Sequence, residues 1–589
     1  MSKQPVDPIT TEVITRHLLN TAEEAGVVLM RAAYSPNIKE RHDCSTAIFD
    51  AQGQVVAQAH HIPIHLGSMI GAIEALTQRH PVDGMRPGDM FLANDPYTGG
   101  GSHLPDLNII APVFAAERLV GWVANIAHHA DVGGMVAGSE AAVCENIYQE
   151  GLRLPPVRLV NAGRVQQDIV DIVLLNSRTP HERLGDLRAQ IAANQSAVRG
   201  VLDLHQRYSS ERVEAALEHL LDLTEQRFER ALQSLRPGSY TATEHLSGDS
   251  PGELASIRLR LQIGDGRLCF DFDGTDAALQ SARNIPRQAV LATLYTVAKA
   301  LLDPDVPANA GYFRTIDLRA PAGSIVDPRP PAAVGCRSIS CGVLCDAVVD
   351  ALSQAAPQIG MAPSGPHHLL TWSGLDPRND RYFVNYETVA GGLGALSGGG
   401  LQTSNAEGGP DYRLDGMDAV RTLASGSANL PIEALEHAYP LRVERYALRD
   451  GSGGHGRHRG GSGIVRDYRV LGDSVRVSLS AERLTEPARG LDGGGDAAVG
   501  RFVLDPGTAD ERELGSGTRE LALRAGALLR VETPGGAGVG SPRSRDAASL
   551  ARDLREQRLR VDQAREVYAR SADELQASTP AASAPHSDR

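Results

Sequence analysis

The stretch that most constrains the fold runs from Asn94 to Asp131. It opens with Asn94-Asp95-Pro96-Tyr97, passes through glycines 99 to 101 and reaches Ser102-His103-Leu104-Pro105-Asp106. Two apolar runs follow, Leu107 to Phe114 and Leu119 to Ala127, separated by Ala115-Ala116-Glu117-Arg118. They read as an antiparallel hairpin, whose open ends then lie side by side. That pairing places Asp106 opposite the neighbourhood of His128, with His103 just upstream. Two imidazoles and a carboxylate converge where glycine lets the backbone approach closely. Such a donor set suits a borderline divalent metal: zinc first, with manganese and iron as alternatives.

A second hairpin precedes it. Ser45 to Phe49 and Gln54 to Ala59 flank Asp50-Ala51-Gln52-Gly53. Its open ends bring Asp43 near His60 and His61. Asp43 reads as a fourth ligand, as a carboxylate that orients a histidine, or as a surface charge beside a strand end. Asp131, beyond the histidine pair, and Glu150, in Asn146 to Leu154, are candidate proton carriers. For Glu150 the alternative is a solvated loop carboxylate. Neighbours on a strand alternate sides, so His129 should face away from His128.

Around this centre the 589 residues are too many for one core. The expected fold is a multi-domain α/β mixture (α+β), with a helix-and-hairpin N-terminal part holding the metal site and a β-rich C-terminal part. Asp7-Pro8 is an N-cap with proline in the first turn of a helix. Residues 1–208 read as the metal-site domain and 209–238 as an amphipathic connecting helix. Residues 239–430 read as a middle α/β domain and 431–545 as a β-rich domain. A charged, mostly solvated helix is expected at 546–576 and a disordered tail at 577–589. The glycines from Tyr386 to Gly408 lack the spacing and lysine of a phosphate loop, so they indicate close backbone packing. Cys336, Cys341 and Cys345 read as buried free thiols, because their spacing is not that of a structural zinc site.

A formal net charge of −14 argues against a nucleic-acid partner. No apolar run is long enough to span a bilayer, and Met1 to Pro5 lacks the apolar core of a signal peptide. The chain is therefore expected in the cytoplasm, without a membrane partner.

Ten strings between Glu40 and Gly540 together resemble the hydantoinase B/oxoprolinase family, a resemblance that runs from about Asp7 to about Tyr568: ERHDCS, HLGSM, NDPYTGGGSHLPD, AHHADVGG, QEGLRLPP, NAGYFR, YETVAGGLGA, PIEALE, RGGSGI and TPGGAGVG. The resemblance implies a hetero-oligomer. A hydantoinase A-type ATPase subunit binds ATP and phosphorylates the substrate oxygen. The B-type chain then hydrolyses the ring amide of a hydantoin, 5-oxoproline or related lactam at a metal site. Carried over by position, the ligands are Asp43, His103, Asp106 and His128. The same resemblance leaves open a subunit of an ATP-dependent ketone carboxylase, or a structural partner of the ATPase. The chain departs from the family at Val420 to Asn429, and at Val539 where an aromatic residue is usual.

Overall fold

The computed structural model describes residues 7–250, 252–398, 414–421 and 423–569. The expected disordered tail, the N-terminal residues 1–6 and most of the second half of the 386–408 glycine stretch lie outside them. Four sheets organise the described residues. The first contains β1 (Cys44–Phe49), β2 (Val55–Gln58), β3 (Met90–Ala93), β4 (Asp106–Ala115), β5 (Arg118–His128), β6 (Val157–Asn161) and β7 (Arg164–Val165). Their order is β2-β1-β5-β4-β3-β6-β7.

The central hairpin is β4–β5, antiparallel, with Asp106 directly opposite His128. Both strands are apolar on both faces because both faces are covered. Leu107, Ile109 and Val123 pack with Ile14 and Leu18 of the helix Pro8–Ala32. Ile110, Trp122 and Ile126 point the other way and pack with Met69, Ile73 and Leu76. The period of two along each strand sorts these sets onto opposite faces. Asp7 caps the first helix, its side chain accepting from the Thr10 amide, with proline in the first turn.

The helix Ser210–Leu232 runs from this core into the next. Val213, Leu217 and Leu221 belong to the first core, Phe228 and Leu232 to the second. The second core is built on β8 (Gly238–Ser247), β9 (Leu254–Gly264), β10 (Arg267–Asp271) and β11 (Ile316–Arg319). Helices Arg287–Leu302 and Arg337–Ala355 pack on it. Against the expectation that no apolar run is long enough to span a bilayer, the latter is long and apolar enough to cross one, and it lies buried in this core. Cys341 and Cys345 lie in it and Cys336 at its start, all three buried and free, as expected.

Two further sheets share the last large core. One is β13-β12-β16-β19, formed by β12 (His368–Asp376), β13 (Arg381–Val389), β16 (Val475–Ser480) and β19 (Leu521–Leu523). The other is β14-β15-β20-β17-β18, formed by β14 (Leu441–Leu448), β15 (Ile464–Val470), β17 (Arg501–Leu504), β18 (Arg512–Leu514) and β20 (Leu528–Glu532). Trp372 and Tyr468 meet between the sheets, ring centroids 5.2 Å apart. β12 thus pairs with a strand far later in the chain, Leu369 opposite Ser480 and Ser373 opposite Arg476.

The C-terminal segment corrects one expectation. It is two short helices, Ala547–Arg555 and Val561–Glu566, broken where Gln557 takes φ 56. Its charges are not simply solvated. Asp553 is buried and accepts from Arg545 Nε at 2.9 Å and Arg459 Nε at 3.2 Å. Arg545 also grips both oxygens of Asp415 at 2.8 Å. Removing Asp553 leaves two buried guanidiniums each short of one carboxylate, Arg545 keeping Asp415 and Arg459 keeping Asp418. Asp553→Ala should therefore cost about 3–5 kcal/mol, read as a lowered midpoint in urea denaturation. An unchanged midpoint would show that the network contributes nothing.

Candidate metal centre

The centre lies at the open end of β4–β5. Strand register delivers Asp106 and His128 as cross-strand neighbours, and His103 follows from its place three residues before Asp106. Ligand atoms of His103, Asp106 and His128 all lie within 4.8 Å of one another, and all three residues are buried.

The pairing of His103 and Asp106 is informative. His103 Nε2 and Asp106 Oδ1 are 3.1 Å apart, yet neither has a hydrogen-bond partner. Donors about 2.1 Å from one ion sit roughly 3.0 to 3.4 Å apart for octahedral to tetrahedral angles, so the two atoms are spaced as ligands of a common cation. Their outer faces are held. His103 Nδ1 lies 2.9 Å from Glu140 Oε1 and 3.2 Å from the Gly335 carbonyl, both acceptors. Those contacts put the proton on Nδ1 and leave the Nε2 lone pair facing inward. Asp106 Oδ2 accepts from Ser102 Oγ at 3.0 Å and Arg337 Nη2 at 2.8 Å.

Burial opposes charge on Asp106, but His103, His65 and Arg337 outweigh it and hold the carboxyl well below the usual range. Burial and Arg337 oppose a proton on His103, but Asp106 and Glu140 outweigh them and hold the imidazole at about 9. Both shifts run in the direction that favours positive charge beside Asp106 and Glu140.

His128 is fixed on both edges. Asn37 Nδ2 approaches its Nδ1 at 3.1 Å, and Glu140 Oε1 lies 2.9 Å from its Nε2. Arg41 Nη1 donates to Asn37 Oδ1, which sets the orientation of that amide. Tyr386 stacks on the His128 ring at 4.4 Å. His129 points elsewhere, to Gln190 Oε1 at 3.0 Å, as strand alternation requires.

The other candidates are placed as follows. Asp43 is buried, not a surface charge, and its Oδ1 lies 3.6 Å from His65 Nε2. That nitrogen is 3.5 Å from Asp106 Oδ1, so His65 links Asp43 to the triad. Asp131 is not brought to the cluster: its carboxylate takes Arg178 Nη1 at 2.8 Å and the Arg178 amide at 2.7 Å. Glu150 is no solvated loop residue. It is 1% exposed, its Oε1 accepts from the Val334 and Gly335 amides at 2.8 and 2.6 Å, and its Oε2 has no partner. Burial pushes its carboxyl up to about 7, against those amides and His103.

Sequence patterns do not single out Glu140, His65, Arg337 or Tyr386 as site residues. Glu140 follows Ser139, a non-glycine residue held at φ 59 with its hydroxyl bonded to Val132 N and Gly133 O. A left-handed residue costs about 1–2 kcal/mol, so this loop is built to aim Glu140. Burial raises the Glu140 carboxyl, but His103 and His128 outweigh it and bring it to about 2. Carboxylates behind metal-binding histidines typically contribute ten- to a hundredfold in affinity. Glu140→Gln should weaken divalent-metal binding by about that factor, measured by competition with a chelating dye. Unaltered affinity would remove Glu140 from the centre.

The sequence model of the family described as hydantoinase B/oxoprolinase matches residues 7–542. A Pseudomonas sp. protein named as the putative B component of a D-/L-hydantoinase is 31% identical over 565 residues, covering 93% of this chain and 92% of its own. 5-Oxoprolinase 1 of Arabidopsis thaliana is 31% identical over 566 residues, 92% of this chain. The chain spans only 42% of that plant protein's length. The crystal structure of ATP-dependent caprolactamase from Pseudomonas jessenii superposes with TM-score 0.86 and 26% identity, over 98% of this chain and all of that one. A nucleotide-free acetone carboxylase structure shares the fold, with TM-score 0.85 at 20% identity, over 97% of this chain and 82% of that one.

Proposed function

Because the chain belongs to the hydantoinase B/oxoprolinase family, we propose that it is the metal-dependent subunit of an ATP-dependent cyclic amidase. In this reading it hydrolyses the ring amide of a hydantoin, 5-oxoproline or related lactam after a hydantoinase A-type ATPase subunit has phosphorylated it. The observation that carries the reading is the buried His103–Asp106–His128 triad, in which His103 Nε2 and Asp106 Oδ1 face each other at 3.1 Å without a hydrogen bond to any group. The names of the relatives point to the same substrate class.

A cyclic amide is a poor electrophile because its nitrogen donates into the carbonyl. O-phosphorylation removes that protection and installs a leaving group. His103, Asp106 and His128 would hold a divalent ion, zinc before manganese or iron, with Asp43 reaching the group through His65. Such an ion would supply Lewis acidity toward the carbonyl and toward water at that point. The chain's own residues do the rest. Glu140 and the Gly335 carbonyl keep the His103 proton on Nδ1. Tyr386 and Asn37 hold the His128 ring. Asp131, tied to Arg178, anchors the loop that leads to Glu140.

Glu150 is the candidate proton carrier, since its carboxyl titrates near neutrality and its Oε2 is unpartnered. As a general base it works as the carboxylate, so turnover should rise with pH through about 7. Glu150→Gln should remove that limb and lower turnover about a hundredfold, while metal content stays at the wild-type level. A pH profile identical to wild type would exclude the role.

The direct test combines the chain with an A-type ATPase subunit, ATP and a panel of hydantoins, 5-oxoproline and caprolactam. Ring opening that needs both chains and ATP is the expected result. Turnover that instead needs bicarbonate and a ketone would replace the amidase reading with the carboxylase one.

A further inference from the structure

Nine arginines are buried among the described residues. Seven of them form ion pairs with carboxylates, Arg183 with Asp186 and Arg466 with Glu387 among them. The two exceptions, Arg41 and Arg421, are neighbours beside the metal centre. Arg41 is 1% exposed and Arg421 8%.

Their partners are all neutral. Arg41 donates from Nη1 to the Tyr386 carbonyl at 2.6 Å and Asn37 Oδ1 at 3.1 Å, from Nη2 to Thr388 Oγ1 at 2.5 Å, and from Nε to the Ala428 carbonyl at 3.4 Å. Arg421 donates from Nη2 to the Thr388 carbonyl at 3.0 Å and from Nη1 to Ser427 Oγ. Thr388 therefore joins the two guanidiniums. A guanidinium has five N–H groups, so Arg421 keeps about three and Arg41 about one free for another acceptor. The acids whose fields reach Arg421 are engaged elsewhere: Asp43 faces His65, and Glu387 pairs with Arg466. Burial and the charge of Arg41 push Arg421 down to about 9.

Two adjacent buried cations without an anion repel each other and are largely withdrawn from solvent, so the pair is unfavourable unless an anion joins it. Arginine suits an oxyanion in particular, because its planar fork matches phosphate and carboxylate oxygens. The pair also borders the triad. The Arg41 guanidinium lies over the Tyr386 ring at 5.4 Å, and Tyr386 stacks on His128. Asn37 touches both Arg41 and His128.

We propose that Arg41 and Arg421 form an oxyanion site beside the metal centre that receives the anionic group of the substrate. Under the amidase reading, on which only this assignment of the anion rests, the group is the phosphoryl on the activated amide oxygen or a carboxylate on the substrate ring. Held there, it neutralises the two guanidiniums and sets the reacting carbonyl next to the triad.

The test is calorimetric titration of the full chain, stripped of metal, with inorganic phosphate and separately with acetate. Wild type, Arg421→Gln, Arg41→Gln, Arg421→Lys and His103→Ala are compared, with folding checked by circular dichroism. The expected result is phosphate binding at the wild-type site, weakened about tenfold or more in the two glutamine variants. It should be partly restored in Arg421→Lys and intact in His103→Ala. Tighter phosphate than acetate assigns the site to a phosphoryl group, and the reverse assigns it to a carboxylate. No binding of either anion to wild type, or equal binding to folded glutamine variants, overturns the proposal. Anion binding that survives while every ring-opening assay fails would overturn the amidase reading alone.

Discussion

The His103→Ala chain should contain no tightly bound divalent metal and should show no ring opening with the ATPase subunit and ATP. The argument is local. His103 supplies one of three buried donors, and its Nε2 is one of the two atoms that face each other without a hydrogen bond. Alanine leaves Asp106 and His128 with too few donors for a stable site. It also leaves Asp106 Oδ1 with an unfilled space where the imidazole stood. Losing the Lewis acid removes several kcal/mol of transition-state stabilisation, so turnover should fall at least about a thousandfold. Elemental analysis of the wild type, prepared without chelators, should show about one equivalent of zinc, manganese or iron. The variant should show none. A wild type that neither carries metal nor takes it up would make the histidines structural. The chain would then be a scaffold for its ATPase partner.

Gly394→Ala should unfold or severely destabilise the C-terminal half. A Cβ at Gly394 would lie 1.7 Å from the Ala362 carbonyl oxygen, and one at Gly392 would lie 2.0 Å from the Gly461 carbonyl oxygen. Both obstacles are backbone, so no side-chain rotation relieves them. The Gly392 and Leu393 amides meanwhile donate to the Pro534 and Met417 carbonyls, and the Gly461 amide to the Leu393 carbonyl. Moving one chain apart breaks several of these bonds at once. A cost of roughly 3 kcal/mol or more is expected, seen as a lowered thermal midpoint or insoluble expression. Gly507→Ala is the control for adding a methyl group itself. No atom lies near its Cβ position, although its φ of 78 carries some strain. Equal stability of the two variants would show that the glycine seam tolerates separation.

The seam bears on what a sequence can and cannot reveal. The glycines at 391–394 carry no phosphate-loop spacing, and close packing is the reading that follows. The segments they meet, at 362, 461 and 534–536, are invisible in a local window, because nothing in the glycines themselves names their partners. The C-terminal charges show the opposite difficulty. Their alternation looks like a solvated helix, yet Asp553 and Arg545 are drawn inward by Arg459 and Asp415, residues far away in the chain.

The centre divides in the same way. Apolar runs and a short turn are enough to pair β4 with β5 and so to set Asp106 against His128, because strand register is a local property. His103 follows from its three-residue offset, and His129 from the alternation of side-chain direction. Those inferences use periodicity, which the sequence by itself determines. Glu140, His65, Arg337, Tyr386 and the Arg41–Arg421 pair are decided only by the tertiary structure. Arg337 meets Asp106 across 231 positions, and Arg41 meets Thr388 across 347. Such meetings depend on how several separately packed cores settle against one another. Burial then does what no motif can: it strips water from these groups and lifts Glu150 toward neutrality, and it leaves two arginines with charge but no counter-ion.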